Sequence, residues 1–190
     1  SDDGILPMLG DEDGGRLFHP YGDRRRLGNP QRVAERTPQP SRWFPDAGIA
    51  VLRVEPLHVI VQTNAFGAGT AGHSHAGALS VVAFHKGAEA LIDPGTCTYS
   101  DPVVRARFRA TAAHNTIAIQ GVEQASSQGP FRWEELPVVD LLHHRLNADY
   151  EAIDAVCRYR GFTHRRCVIL RKPGILVVVD RVSGPPGEWT

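Results

Sequence analysis

The sequence predicts an all-β protein, an antiparallel β-sandwich of jelly-roll type with an irregular N-terminal lead-in. Three observations predict it. From residue 48 onward, short runs rich in Val, Ile and Leu recur, and Gly, Pro, Asn or Asp separates most of them. No segment in that region keeps a 3.6-residue apolar period over three turns, so no long amphipathic helix is expected. The chain has 190 residues, 42% of them hydrophobic, which is enough for one domain with a buried core.

The elements follow in order. Residues 1–47 lack periodicity and are rich in Gly, Pro, Asp and Arg. They read as a lead-in with at most one short helical turn, and "PYGDRRRLGNPQRVAERTPQP" reads as a loop or linker. The sandwich domain is expected over 48–190. "GIAVLRV", "LHVIVQT", "ALSVVAFH", "EALI", "NTIAI", "LPVVDLLHH", "CVILR" and "ILVVVD" are the strand candidates. "KPG" at 172–174 predicts the hairpin turn between the last two. There is no internal repeat. Ser1 is not an initiator, and the chain stops soon after a strand that would leave an open edge, so both ends read as cuts in a longer chain.

Lys plus Arg and Asp plus Glu each number 21, a formal net charge of zero. No overall field draws the chain to nucleic acid or to an anionic membrane. No apolar run approaches the roughly 18 residues of a membrane helix. The N-terminus has no basic-then-apolar signal pattern. Three scattered cysteines without a CxxC exclude a disulfide framework and a thiolate zinc site. Cys157 and Cys167 read either as two small buried residues or as partners across a hairpin turning near Gly161.

The chemistry-bearing residues begin at "GHSHAGALS", residues 72–80, with His73 and His75. If that run is extended, both point to one side. Asp93 stands where "EALI" enters the turn "DPGT", and His114 immediately precedes "NTIAI". Two imidazoles and a carboxylate suit a zinc site that leaves a fourth position open. The same residues also read as separate polar groups, with Asp93 only a turn former. "GAGTAGHSH" fits the opening of a cupin motif, but no glutamate follows at the required spacing and no second motif appears. A cupin-like metal protein is the minor alternative.

Taken together, "GHSHAGALSVVAFHKGAEALIDPGTCTYS", "RFRATAAHNTIAIQGVEQ", "GPFRW" and "ADYEAI…YRGFTHRRCVILRKPGILVVVDRVSG" resemble the heparinase II/III family of polysaccharide lyases. "LGDEDGGRLF" at 9–18 resembles the link after that family's α/α-barrel. The resemblance implies a C-terminal β-sandwich whose parent chain carries an α/α toroid upstream, with residues 1–47 as the connection. It implies cleavage of uronic-acid-containing acidic polysaccharide, of heparan sulfate, alginate or exopolysaccharide type, by β-elimination. Without the toroid the 190-residue chain is expected to be inactive or nearly so. The resemblance places a cleft-facing catalytic histidine at His73 and structural zinc ligands at His75, Asp93 and His114. It makes Tyr99 a second catalytic candidate. It also implies a periplasmic or secreted location. A non-catalytic carbohydrate-binding or structural module is the competing reading.

Gly77 departs from the family, which commonly has an acidic or amide residue there. That removes one potential hydrogen bond to a metal ligand. Arg105, Arg107 and Arg109 alternate, so on a strand they would share a face and attract an acidic sugar chain, or form a solvated edge. Trp133 reads as a sugar-stacking ring or as part of the core. His143, His144 and His164 are assigned to surface strands without function, and Arg165 and Arg166 to opposite faces of one strand.

Overall fold

A computed structural model describes residues 11, 16–18, 24–26, 40–64, 66–67, 69–147 and 149–186. Most of the lead-in, with its expected helical turn, lies outside the described residues. Strands β1 (Arg16–Phe18) and β2 (Arg24–Arg26) form an antiparallel pair. Strands β3 (Arg42–Phe44), β4 (Ile49–Val54), β5 (Leu57–Gln62), β6 (Val81–His85) and β7 (Ala88–Leu91) form a five-stranded sheet in chain order. Helix α1 (Pro102–Arg109) and a 3-10 turn at Thr111–Ala113 follow. Strands β8 (Ser126–Ser127) and β9 (Trp133–Glu134) pair with each other. Strands β10 (Val138–Leu146), β11 (Tyr150–Tyr159), β12 (Phe162–Arg171) and β13 (Ile175–Ser183) form a four-stranded sheet, again in chain order. Every neighbouring pair is antiparallel, so the expected all-β sandwich is what the chain forms.

Period-two patterning builds the core. Ala50, Leu52 and Val54 alternate along β4, and Val59 and Val61 along β5. They meet Val81 and Ala83 of β6 and, from the other sheet, Ile153, Val168 and Leu170. Each large apolar side chain buried there contributes about 1.5–3 kcal/mol. The turn "KPG" joins β12 to β13, with Gly174 at φ 111°, a conformation L side chains rarely adopt.

Along β12 the inward positions change character. Val168 and Leu170 are apolar, but His164 and Arg166 are also buried, at 0% and 6% exposure. Arg166 lies directly opposite Asp180 of β13 and grips its carboxylate with two nitrogens, at 2.7 and 2.9 Å. Its remaining terminal nitrogen donates to the carbonyls of Leu79 (2.7 Å) and Asn115 (2.6 Å). His164 Nε2 donates to the same Asp180 at 2.7 Å. So the expected surface position of His164 is corrected: the strand alternation points it inward, where Asp180 satisfies it. Arg165 and Arg166 do lie on opposite faces, one exposed and one buried.

Four further expectations change. Residues 103–109 form a helix, not a strand. Asp101 caps it by accepting from the amides of Val103 and Val104, and Pro102 opens it. "NTIAI" is loop apart from a single bridge at Ile119. Residues 72–80 are turns rather than a strand. Cys157 pairs in register with His164, and Cys167 with Asp154, so the two cysteines do not meet across the hairpin. Both are free, Cys157 buried and Cys167 half-buried. Burial pushes the Cys157 thiol up to about 12, which keeps it protonated and unreactive.

Candidate metal centre and cleft

Three loops bring the polar residues together, and side-chain hydrogen bonds set each loop. Gln124, fully buried, binds both backbone polar groups of Ala78: its side-chain carbonyl accepts from Ala78 N (2.8 Å) and its side-chain amide donates to Ala78 O (3.1 Å). Leu79 then turns through φ 62°, unusual for a non-glycine. Its burial and the Arg166 contact to its carbonyl hold it there. Asn115 donates to Val81 O (3.0 Å) and Ile92 O (2.7 Å), which ties the His114 loop to β6 and to the residue before Asp93. Asp93 accepts from the amide of Gly95 at 2.9 Å, the short turn that "DPG" encodes.

The result is a buried group of His75, Asp93 and His114, at 3%, 3% and 6% exposure, whose ligand atoms lie within 4.8 Å of one another. The ring centroids of His75 and His114 lie 5.3 Å apart, with the planes tilted by 46°. His114 Nδ1 lies 2.9 Å from Asp93 Oδ2, and His75 Nε2 lies 2.8 Å from a carboxylate oxygen of Asp11. Each ring therefore has one nitrogen engaged. The others, His75 Nδ1 and His114 Nε2, are buried with no hydrogen-bond partner among the described residues. An unpartnered buried polar atom costs about 1–3 kcal/mol. A divalent cation would relieve two at once, and two imidazoles with a carboxylate are ligands that zinc accepts. Burial lowers the pKa of His75 to about 4, outweighing the hydrogen bond to Asp11. That keeps the ring neutral, the form that binds metal.

His73 stays outside this group. Its side chain is 79% exposed, and its Nδ1 lies 2.9 Å from the other oxygen of Asp11. A cupin-like centre would need both histidines on one ion, and this arrangement separates them. With Gln62, Asn64, Phe66 and His75, His73 lines a cleft of about 350 Å³. Tyr99, 46% exposed, stacks on Phe131 at 5.9 Å, and Phe131 meets His73 edge-on at 6.3 Å. His73, Phe131 and Tyr99 thus form a row on one surface.

The arginines take different places from those the alternation suggested. Arg105 and Arg109 are one helical turn apart and buried, at 0% and 1% exposure. Arg105 spends five donor contacts on Asp11, Thr96 and the carbonyls of Gly72 and Pro130. A guanidinium has five N–H groups, so none is left for a sugar carboxylate. Arg109 donates to the carbonyls of Ser74, Gly129 and Pro130 and lies 4.2 Å over Trp133. The substrate-contact readings of Arg105 and Arg109 are therefore corrected, and Arg107 alone of the three is exposed. Trp133 is corrected likewise: it is 7% exposed, with its indole N–H on Ser74 O at 2.8 Å. The exposed aromatic of "GPFRW" is Phe131, at 46%.

Gly77 has a steric reason. A Cβ built there would stand 3.0 Å from His114 Cγ and 3.3 Å from Gln62 Oε1. The missing acidic or amide side chain makes room for the His114 ring. Gly77→Ala is expected to cost about 1–3 kcal/mol, as overpacking does, and to weaken metal uptake. Melting curves with and without zinc measure both, and an unchanged melting temperature would refute the packing argument.

Sequence reasoning missed Asp11, Phe131, Gln124 and Arg166. Asp11 had a signal, since it lies in the quoted "LGDEDGGRLF". The contacts of Gln124 and Arg166 span 46 and 87 residues and had none.

These features define a class: an antiparallel β-sandwich that presents an exposed histidine beside a buried two-histidine, one-aspartate group. The family described as "Heparinase II/III-like, C-terminal" matches residues 36–188, and the chain belongs to it. Among solved structures, a heparinase III is similar over 78% of this chain and 23% of its own, at 24% identity and TM-score 0.64. A second heparinase III gene product covers 98% of this chain and 33% of its own, at 17% identity and TM-score 0.71. The heparan sulfate lyase HepC from Pedobacter heparinus covers 97% and 30%, at 15% identity and TM-score 0.71. The chain thus spans about a quarter to a third of the length of these structures. No curated protein sequence matches it. No helix among the described residues is long and apolar enough to cross a membrane.

Proposed function

We propose that this chain is the C-terminal domain of a polysaccharide lyase that cleaves uronic-acid-containing acidic polysaccharide by β-elimination. The observation that carries the reading is the paired histidines. His73 is exposed at a cleft while His75, two residues on, is buried in a group that could hold a metal, and one loop positions both. In β-elimination the uronate carboxylate is neutralised, a base removes the C5 proton, and an acid protonates the departing 4-oxygen. His73 and the half-exposed Tyr99 serve this chemistry from the sandwich side. Arg107 adds positive charge for an acidic chain, and the half-exposed Phe131 adds apolar surface beside His73. An upstream α/α toroid supplies the remaining groups, with the chain ahead of the family match at residue 36 as the connection, and the enzyme works in the periplasm or outside the cell.

Zinc held by His75, Asp93 and His114 would act as a structural clamp on the loops that present His73. If free zinc stands at a hundredfold excess over its Kd, binding stabilises the fold by about 2.7 kcal/mol. A chelator is then expected to lower the melting temperature by about 5–10 °C. Elemental analysis without stoichiometric metal, together with unchanged melting on chelation, would overturn the clamp. The activity is tested by following unsaturated uronate absorbance on heparan sulfate and alginate. Product is expected from the parent enzyme and essentially none from residues 1–190 alone. Robust turnover by the 190-residue chain, or none by the parent on any acidic polysaccharide, would refute the reading.

A further inference from the structure

Asp11 lies far from the sandwich in sequence, yet its side chain is only 6% exposed and sits between the two histidines of the site. Its Oδ1 is 2.8 Å from His75 Nε2, and its Oδ2 is 2.9 Å from His73 Nδ1. Arg105 forks onto both oxygens at 2.8 Å, and the Asp11 amide donates to His73 O at 3.3 Å. The Arg105 guanidinium, itself fully buried, pairs this carboxylate with a fixed positive charge through two parallel N–H···O bonds.

We propose that Asp11 is a positioning residue that sets the tautomers of His73 and His75 in opposite senses. An ionised carboxylate only accepts hydrogen bonds, so the ring nitrogen facing it must carry the proton. His75 then holds its proton on Nε2 and turns the lone pair of Nδ1 into the buried metal group, where that atom has no other partner. His73 holds its proton on Nδ1 and presents the lone pair of Nε2 outward, as a base requires. One carboxylate thus prepares a metal ligand with one oxygen and a base with the other. Arg105 supplies the charge that keeps it ionised and the fork that keeps it in plane. The role given to His73 Nε2 rests on the lyase reading; the tautomers themselves do not.

The test is 15N-histidine NMR on the 190-residue chain, at a pH above about 8 so that a solvated imidazole is neutral. Long-range proton–nitrogen correlations identify which nitrogen bears hydrogen. The expected result is Nδ1–H at His73 and Nε2–H at His75, in chelated protein as well as zinc-loaded. In Asp11→Asn a single acceptor oxygen remains, for which buried His75 and Arg105 compete. The Nδ1–H form of exposed His73 should fall from dominant to minor, and Asp11→Glu should restore it in part. An Nε2–H form or an averaged mixture at His73 in the unaltered protein overturns the proposal, and that measurement needs no variant to fold. So does an Asp11→Asn spectrum with His73 unchanged. Absence of zinc uptake or of lyase activity would sink the functional reading and leave the tautomer result standing.

Discussion

Arg166→Ala is expected to destabilise the fold by about 3 kcal/mol, the low end for breaking a buried ion pair because the Asp180 side chain keeps 22% exposure. At about 2–4 °C per kcal/mol for a chain of this size, melting should fall by about 6–12 °C. The loss has two sources. Among the described residues Asp180 keeps only His164 as its partner, and the carbonyls of Leu79 and Asn115 lose a shared donor. Leu79 and Asn115 belong to the loops that carry His75 and His114, so zinc affinity should fall along with stability. Arg166→Lys keeps the charge but not the fork, and should recover only part of the loss. A change in unfolding free energy below about 1 kcal/mol would show that the pair is a bystander.

The same cluster sets an acid limit. Burial lowers the pKa of His164, with the Asp180 hydrogen bond opposing it. A histidine with a lowered folded pKa binds fewer protons folded than unfolded, so stability declines as pH falls below the ordinary imidazole value of about 6.5. Burial raises the pKa of Asp180, but Arg166 and His164 outweigh it and hold it below the usual range. Its contribution is present above the ordinary carboxylate value of about 3.9 and is lost as pH falls through the lowered one. Unfolding free energy measured against pH should show both declines. Arg166→Ala should flatten the lower one.

The second large effect concerns the reaction. In the proposed parent lyase, His73→Ala is expected to lower kcat by about 10²–10⁴-fold, the usual contribution of a positioned acid or base. The His73 ring is 79% exposed, so melting and zinc content should hardly change. His75→Ala should behave in the opposite way, with zinc content and melting falling first and activity following them. If His73→Ala keeps turnover within about threefold of the parent enzyme, the cleft histidine has no part in the proton transfers.

Most of the sandwich was legible because strand alternation is a local signal: Ala50, Leu52 and Val54 show it within six residues. Helix α1 was not, because the residues it buries are Arg105 and Arg109, which leave no apolar stripe. Its legible signal was the cap, Asp101 followed by Pro102. The grouping of His75, Asp93 and His114 was expected from the sequence and its resemblance, and the burial of all three now supports it. The substrate-contact readings of Arg105, Arg109 and Trp133 gave way for one reason. Residue type says what a side chain can bind, but burial and prior partners decide whether it is available. The sequence by itself determined most of the strand positions, though not β3 or the interior strand β11, together with the hairpin at 172–174 and the chemical composition of the site. Only the tertiary structure decided that Arg105 is saturated, that Gly77 makes room for His114, and that Asp11 lies between His73 and His75. Those facts depend on contacts across tens of residues, where packing rather than local pattern sets the geometry.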